Sequence, residues 1–354
     1  MTNWQGKSVF ITGHTGFKGS WLSLWLYRLG ARVHGYALDQ PTTPSFFEVG
    51  SVAQCLASDT RGDLAEIEKL SQALTRAQPE VVLHLAAQPL VRASYADPLG
   101  TIATNVLGTA NVLQAIRTVS SVKVVVIVTT DKVYKNREWP YPYREVDSLG
   151  GHDPYSASKA AAEIITASMR DSFFDASRVR IVTARAGNVI GGGDWAADRL
   201  VPDCLKSFAA GKPVRLRFPN AVRPWQHVLE PLGGYIMLAS RMLDKPGENY
   251  SKAWNFGPAP ADNAPVGDVA KRLAVLWGGD SSVICEPSSE QLHEAGILTL
   301  DNSLARCELG WRPRWPLDEA LYHTVAWQKN WLKGQDMLNL SLNHIDKYQG
   351  VSLL

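Results

Sequence analysis

The sequence predicts an α/β protein, a doubly wound parallel sheet with a smaller C-terminal domain interleaved with it. Three observations support this fold class. Short apolar runs alternate with amphipathic segments through the first half of the chain. A glycine-rich turn directly follows the first apolar run, where doubly wound folds bind nucleotides. After Asn188 the sequence becomes rich in loops, which indicates a second unit of different architecture.

The apolar runs are rich in valine and isoleucine, which is typical of strands buried on both faces. In chain order, the predicted strands are Ser8–Thr12, Arg32–Tyr36, Val81–Leu85, Val122–Thr129 and Val179–Ala184. The predicted helices between them are Gly19–Leu29, Leu64–Ala77, Leu99–Val119 and Pro154–Arg170. Because strands and helices alternate, the strands should lie parallel, with ligands at their carboxyl ends.

The second half of the chain is predicted to alternate between the two domains. Val228–Leu243 is predicted as a helix and Ala253–Phe256 as a strand, and both should return to the first domain. We therefore expect residues 1–186 plus about 226–257 to form a nucleotide-binding domain. Residues from about 187–225 plus 258–354 should form the smaller substrate domain.

Composition limits the class of protein. The 354 residues fit two domains, and the formal net charge of +2 gives no reason to expect nucleic acid or an anionic membrane as partner. No apolar run reaches the ~18 residues of a membrane span, and no signal peptide is evident, so we expect a cytoplasmic protein. The cysteines are widely spaced and predict neither a disulfide framework nor a metal site: Cys55, Cys204, Cys285 and Cys307.

The glycine-rich turn predicts a dinucleotide site in a Rossmann-like domain. Gly13, Gly16 and Gly19 permit a tight turn that includes Phe17, and the helix predicted from Gly19 offers its N-terminus to a pyrophosphate. A tight turn without a ligand would also use three glycines. Asp39 follows the second strand, where a carboxylate accepts from both ribose hydroxyls. No arginine follows it in sequence, which favours NAD over NADP.

Two further segments are predicted to contact the cofactor. Asp59 and Thr60 precede a helix and are expected near the adenine. Leu85, Ala86 and Ala87 end a strand with small side chains, where a cofactor can lie against the backbone.

Tyr155 and Lys159 are the predicted acid–base pair. Four residues apart on a helix after Pro154, they share one face. An ammonium beside a phenol favours the phenolate, so we expect the pKa of Tyr155 to fall from its ordinary ~10. Such a phenolate can take a proton from a sugar hydroxyl while a hydride leaves the same carbon. The alternative is an exposed pair on a solvated helix.

The end of an apolar strand is followed by Thr130, Asp131 and Lys132. Doubly wound folds place their ligand-binding and catalytic side chains at such strand ends. The hydroxyl of Thr130 can hydrogen-bond the alcohol being oxidised. Asp131 and Lys132 are an adjacent acid and base, which the loss of water requires and a simple oxidation does not. Taken alone, these residues could instead form a turn with solvated charges.

Together these motifs resemble the extended short-chain dehydrogenase/reductase family of nucleotide-sugar enzymes, along essentially the whole chain. Gly13–Trp21, Gly191–Trp195 and Arg223–Val228 are most similar to its 4,6-dehydratases, in particular the branch that acts on CDP-glucose. The wider dehydratase group has glutamate at position 132, and the lysine found here is the residue expected in the CDP-glucose branch.

The resemblance implies a function and a set of roles. It implies loss of water from CDP-glucose or a similar nucleotide sugar, with NAD as cofactor. Tyr155 and Lys159 would act at C4, and Lys132 and Asp131 at C5 and C6. Residues implied to face the substrate are Asn105, Asn188, Arg215 and Arg223. A homodimer through the helices beginning near Leu99 and Tyr155 is also implied.

Three other functions remain open on the sequence alone. A nucleotide-sugar 4-epimerase would share the sheet, NAD and the tyrosine–lysine pair, but needs no Asp131–Lys132 pair. A dehydratase for a GDP- or dTDP-sugar would share the chemistry and differ in the base pocket. An NAD-binding regulatory protein would not need Tyr155 or Lys159.

Overall fold

The computed structural model describes residues 2–174, 178–286 and 296–350. Its strands, in chain order, are β1 (Ser8–Thr12), β2 (Arg32–Ala37), β3 (Ser58–Arg61), β4 (Val81–His84), β5 (Val124–Val128), β6 (Arg180–Arg185), β7 (Val189–Ile190), β8 (Val214–Leu216), β9 (Val222–Pro224), β10 (Gln226–His227), β11 (Ala253–Asn255), β12 (Asn263–Pro265) and β13 (Val283–Cys285).

The helices are α1 (Phe17–Arg28), α2 (Phe46–Val49), α3 (Ile67–Ala77), α4 (Val91–Ala96), α5 (Pro98–Ile102), α6 (Gly108–Ile116), α7 (Pro154–Phe173), α8 (Leu200–Ala209), α9 (Leu229–Asp244), α10 (Val266–Trp277), α11 (Leu317–Leu332) and α12 (Met337–Gln349). Among the residues that the structure describes, no helix is both long enough and apolar enough to span a membrane.

A seven-stranded sheet forms the centre of the molecule, in the order β3-β2-β1-β4-β5-β6-β11. All of its strand pairs are parallel. The strand order reverses between β1 and β4, which is the position where doubly wound sheets bind ligands. The predicted α/β fold with a doubly wound parallel sheet is confirmed.

Strand β5 shows why the sequence forms this sheet. Each of its residues is buried, and successive side chains point to opposite faces. Val124 and Val126 join a large apolar cluster on one face, which includes Trp21 and Trp254. Val125, with Ile127, joins a second cluster on the other face. A strand with helices on both faces therefore needs apolar side chains at every position.

A third apolar cluster lies beyond the carboxyl ends of the sheet. Its buried side chains come from α8, α10 and α11, with Val201, Leu273 and Leu321 among them. Three two-stranded sheets accompany this cluster: β7 with β10 and β8 with β13 are parallel, and β9 with β12 is antiparallel. The cluster thus draws on both chain segments that the sequence predicts for the smaller domain.

Several elements differ from the prediction. The helix expected over 99–119 is divided by a π-helical turn, Ala103–Leu107, between α5 and α6. Strand β3 was not expected because its four residues, Ser-Asp-Thr-Arg, are polar. The last helix, α12, packs against α1 of the first domain, where Arg28 Nε donates to Asp346 Oδ1 at 2.9 Å.

Candidate active site

The glycine-rich turn between β1 and α1 leaves no room for a Cβ at Gly13 or Gly19. Gly13 has a φ of +76°, and a Cβ there would lie 2.6 Å from the backbone nitrogen of Ala86. A Cβ on Gly19 would lie 2.1 Å from the carbonyl oxygen of Gly13. Gly16 precedes the first residue of α1 in extended conformation. This close packing of backbone on backbone at a helix N-terminus fits a dinucleotide pyrophosphate.

A cleft of about 1420 Å³ extends from this turn across the carboxyl ends of the strands to the third apolar cluster. Most of the predicted site residues line it: Gly13, Gly16, Phe17, Gly19, Asp39, Leu85, Ala86, Ala87, Thr130, Asp131, Lys132, Tyr155, Lys159, Asn188, Arg215 and Arg223. The fold therefore brings the predicted cofactor segments and the predicted chemical groups into one cavity.

Asp39 lies at one end of the cleft, with its side chain 90% exposed. Arg61 of β3 lies beside it, with Nη1 3.6 Å from Oδ1 of Asp39. The sequence analysis did not identify this arginine because it is distant in the chain. Its Nη2 donates to Asp59 Oδ2 at 2.9 Å, so two carboxylates already share its charge. Asp39 remains free to accept from a ribose.

The prediction for Asp59 and Thr60 is wrong in position. Both residues lie inside β3, and neither lines the cleft. Asp59 Oδ1 instead shares a hydrogen bond with Nε2 of His14 at 2.9 Å. Residues 58–61 form a strand that the sequence did not predict, so the residues that line this part of the cleft come after it: Gly62, Asp63 and Leu64.

Tyr155 and Lys159 lie on one face of α7, as the sequence predicts. The side chain of Asp153 caps the N-terminus of this helix. Both side chains are buried, and Lys159 Nζ donates to the carbonyl of Val128 at 3.2 Å. Burial raises the pKa of Tyr155 to about 12, although a hydrogen bond with Thr130 lowers it. Burial likewise lowers the pKa of Lys159 to about 8.

The predicted fall in the pKa of Tyr155 is therefore not found in this structure. The prediction considered only the neighbouring ammonium and neglected the loss of water around a buried phenol. Desolvation disfavours charge on both partners, so it raises the pKa of Tyr155 and lowers that of Lys159. Tyr155 can therefore act as a base only when other groups stabilise its phenolate.

Thr130 links the carboxylate and the phenol. Its Oγ1 donates to Oδ1 of Asp131 at 3.0 Å, and its side chain lowers the pKa of Tyr155. It also caps the 3₁₀ turn Asp131–Val133 by accepting from the backbone N–H of Lys132. Asp131 is buried, whereas Lys132 is half-buried in the cleft wall. One short turn after β5 thus presents a hydroxyl, a carboxylate and an amine to the same space.

A buried carboxylate lies one helical turn beyond Lys159. Glu163 accepts from Thr129 Oγ1 at 2.5 Å, Thr183 Oγ1 at 2.6 Å, and Arg185 Nε and Nη2 at 2.9 Å each. Burial raises the pKa of Glu163, but the charge of Arg185 and the hydrogen bonds from Arg185, Thr129 and Thr183 together outweigh this effect and hold the pKa below its ordinary value. The charge of Glu163 in turn opposes the burial-driven fall in the pKa of Lys159. The spacing of 155, 159 and 163 on one helix face was the available sequence signal.

Two cations in the cleft were also missed. Burial lowers the pKa of Lys18 to about 7, and the charges of Arg199 and Lys159 act in the same direction. Arg199 Nη1 donates to Asp194 Oδ2 at 2.9 Å, and the charge of Arg199 lowers the pKa of Tyr155. Lys18 lies inside the motif of the glycine-rich turn, and Arg199 follows the Gly191–Trp195 motif closely. Proximity to these motifs was the signal that could have found them.

Asn105 does not line the cleft, contrary to the predicted contact with substrate. Its side chain is buried, accepting from the backbone of Gln88 at 2.8 Å and donating to Ser158 Oγ at 2.9 Å. These bonds leave it a supporting part of the wall, between the π-helical turn and α7. Asn188 and Arg223 do line the cleft, and Asn188 has a strained φ of +30°.

No group of three or more histidine, cysteine, aspartate or glutamate side chains is arranged to hold a metal ion within residues 2–174, 178–286 and 296–350.

Comparison with known proteins gives concordant results. The model of the GDP-mannose 4,6-dehydratase family matches residues 10–324. A CDP-glucose 4,6-dehydratase from Salmonella typhimurium is 49% identical over 354 residues, covering 99% of this chain and 98% of that protein.

Solved structures share the fold. A UDP-glucose 4-epimerase from Thermotoga maritima with UDP-glucose has a TM-score of 0.80 and 22% identity, covering 92% of this chain and 99% of that one. A dTDP-glucose 4,6-dehydratase from Bacillus anthracis in complex with NAD has a TM-score of 0.76 and 19% identity, covering 95% and 100%.

The buried ammonium of Lys159 predicts a pH-dependent stability. Between its lowered pKa of about 8 and the ordinary 10.5, the unfolded chain holds a proton that the folded protein has released. Stability contributed by this group therefore increases with pH across that window, by on the order of 3 kcal/mol. In Lys159→Met this increase should be absent. Urea unfolding at several pH values measures it, with exposed Lys333→Met as the control. Identical pH profiles for wild type and Lys159→Met would contradict the assignment.

Proposed function

The chain belongs to the GDP-mannose 4,6-dehydratase family, and we propose that it converts CDP-glucose to CDP-4-keto-6-deoxyglucose with loss of water. The observation that carries this proposal is the meeting of Asp131, Lys132 and Tyr155 in one cleft. The 49% identity to a CDP-glucose 4,6-dehydratase along nearly the whole chain supports the same substrate. Lysine at position 132 agrees with that branch.

NAD is the cofactor we propose. The backbone cradle at Gly13 and Gly19 fits its pyrophosphate, and Asp39 can accept from the adenosine ribose. A 2′-phosphate would instead meet the carboxylate of Asp39. When bound, NAD supplies the acceptor for the hydride of sugar C4 and the donor of that hydride to C6, so the cycle consumes none.

Tyr155 takes the proton of the C4 hydroxyl. For this purpose the phenol must act as a phenolate, which its burial disfavours. The hydrogen bond with Thr130 and the charge of Arg199 both lower the pKa of Tyr155 and thus work against burial. Lys159 donates to the carbonyl of Val128 and so holds its ammonium on the face of α7 that carries Tyr155.

Asp131 and Lys132 carry out the loss of water. The C4 ketone acidifies the hydrogen on C5, and the amine of Lys132 takes that proton. The electron pair from the C5–H bond forms a C5–C6 double bond as the C6–O bond breaks. Asp131, in its protonated form, donates its proton to the departing oxygen, which leaves as water. The ammonium of Lys132 would return its proton to C5 when the hydride is delivered to C6. The acid and the base lie on one turn after β5, so both reach neighbouring carbons of one hexose.

Cationic side chains in the cleft suit the diphosphate. Arg223, Arg215 and the newly found Arg199 line it, and guanidinium groups bind phosphate oxygens in a fork geometry. Asn188 lines the same cleft with its backbone strained. We assign these residues to the nucleotide diphosphate, and we assign Asn105 a supporting role in the wall.

Incubation with CDP-, dTDP-, GDP- and UDP-glucose tests the proposed function. The protein with NAD should convert CDP-glucose to a keto-sugar, detected by its absorbance in alkali, and the other three at least ten-fold more slowly. Conversion at C4 without loss of water would indicate an epimerase. Release of keto-sugar from another nucleotide would identify a different dehydratase. No product from any substrate, with NAD binding intact, would indicate a regulatory protein.

We further propose a homodimer, with a second copy covering an apolar face of α5 to α7. Leu99 is 78% exposed there, and Leu107 and Ile164 are exposed nearby on helices that pack together. An apolar face of this kind on one group of helices is typical of an interface.

Leu99→Glu with Ile164→Glu should therefore yield monomers in analytical ultracentrifugation. Val275→Glu, at an equally exposed apolar residue on α10, is the control. A monomeric wild-type protein would contradict the dimer.

We propose that the enzyme works in the cytoplasm. Cys285 and Cys307 are exposed and Cys55 and Cys204 are buried, and all four are free thiols. Free exposed thiols persist in reducing compartments.

A further inference from the structure

The carboxylate of Asp131 lies directly against Gly187. A Cβ placed on Gly187 would lie 1.9 Å from Oδ2 of Asp131 and 2.3 Å from its Cγ. Both distances are far below van der Waals contact, so no residue with a side chain can occupy position 187 while Asp131 keeps this orientation. Gly187 is itself buried, in the loop between β6 and β7.

The need for glycine here comes from Asp131 and not from the backbone. Gly187 is not among the glycines with positive φ, so alanine could adopt its conformation. The neighbouring backbone is also fixed. Gln226 Nε2 donates to the carbonyl of Gly187 at 3.3 Å, and the backbone N–H of Phe256 donates to the carbonyl of Arg185 at 2.8 Å. A methyl group at 187 therefore displaces the carboxylate more readily than the chain.

Asp131 has little else to hold it. Its Oδ1 accepts from Thr130 Oγ1 at 3.0 Å. Its Oδ2 is buried and has no hydrogen-bond partner in the part of the chain that the structure describes. The side of the carboxylate that carries Oδ2 is thus positioned by packing against the Cα of Gly187, and a single hydrogen bond fixes the other side.

We propose that Gly187 is a positioning residue for water loss, because the space left by its missing Cβ sets the orientation of Asp131. This inference rests on the proposed function, in which Asp131 gives its proton to the C6 oxygen. The C6–O bond breaks, water leaves, and Lys132 holds the proton taken from C5. Oxidation at C4 depends on Tyr155. The charge of Asp131 raises the pKa of that phenol, so moving Asp131 away should not weaken the phenolate.

Gly187→Ala should therefore separate the two halves of the reaction. A displacement of about 1 Å in a reacting group can cost on the order of 10²-fold in rate. We expect water loss to slow by about that factor while C4 oxidation continues. In a single turnover with CDP-glucose, reduced nicotinamide should accumulate in the variant, as followed by its absorbance, and should stay low in the wild-type enzyme.

A double-mutant cycle with Asp131→Ala tests the contact without any substrate. The shorter side chain at 131 leaves room for a methyl group at 187. Gly187→Ala should therefore lower the melting temperature of the wild-type protein and have little effect in the Asp131→Ala variant, and this non-additivity measures the contact. Gly257→Ala is the matched control, since its Cβ would meet Leu300 at 3.0 Å, and its effect should be the same in both backgrounds.

The outcomes are distinct. Equal melting effects of Gly187→Ala in both backgrounds would overturn the proposal. So would a coupled melting effect with unchanged kinetics in an enzyme that dehydrates CDP-glucose. If the wild-type protein dehydrates no nucleotide sugar, the proposed function fails and the positioning role with it, whereas the melting cycle still reports whether Gly187 and Asp131 are in contact.

Discussion

The hydrogen-bonded turn after β5 is the constraint on which the rest of the site depends. Thr130 caps the turn, donates to Asp131 and lowers the pKa of Tyr155, so this residue relates the end of the strand to the phenol on α7. β5 is a buried strand between β4 and β6, with helices on both faces. The carboxylate and the amine are therefore held at the end of an inner strand of the sheet, with the phenol beside them on α7, and the cofactor cradle lies two strands away on β1.

Burial of the catalytic groups has an energetic cost, because it disfavours their charged forms. The desolvation that raises the pKa of Tyr155 and lowers that of Lys159 would leave neutral, inactive groups without nearby charges. Glu163, fully hydrogen-bonded to Arg185 and two threonines, places a fixed negative charge beyond Lys159. Removal of one member of such a buried pair typically costs about 3–5 kcal/mol. The Glu163–Arg185 pair thus links the stability of the sheet to the charge state of the site.

Local patterns in the sequence were sufficient for the sheet, the glycine cradle and the groups at 130–132, 155 and 159. Each depends on residues that are close in the chain or share a strand or helix period. Contacts between distant segments could not be predicted in this way. Arg61 reaches Asp39 through β3, whose polar residues conceal a strand, and Gly187 meets Asp131 from a different loop. The pKa of Tyr155 was mispredicted because burial of a side chain is a property of the whole fold.

The central claim is that the amine of Lys132 and the phenol of Tyr155 act on neighbouring carbons of one hexose, which distinguishes dehydration from oxidation alone. CDP-glucose deuterated at C4 tests this claim most directly, with wild type and Lys132→Ala compared by NMR of the products. The account predicts deuterium at C6 of the wild-type product, whereas the variant should move deuterium from C4 to the cofactor and release little dehydrated sugar. Loss of the label to solvent, or wild-type dehydration by the variant, would contradict it.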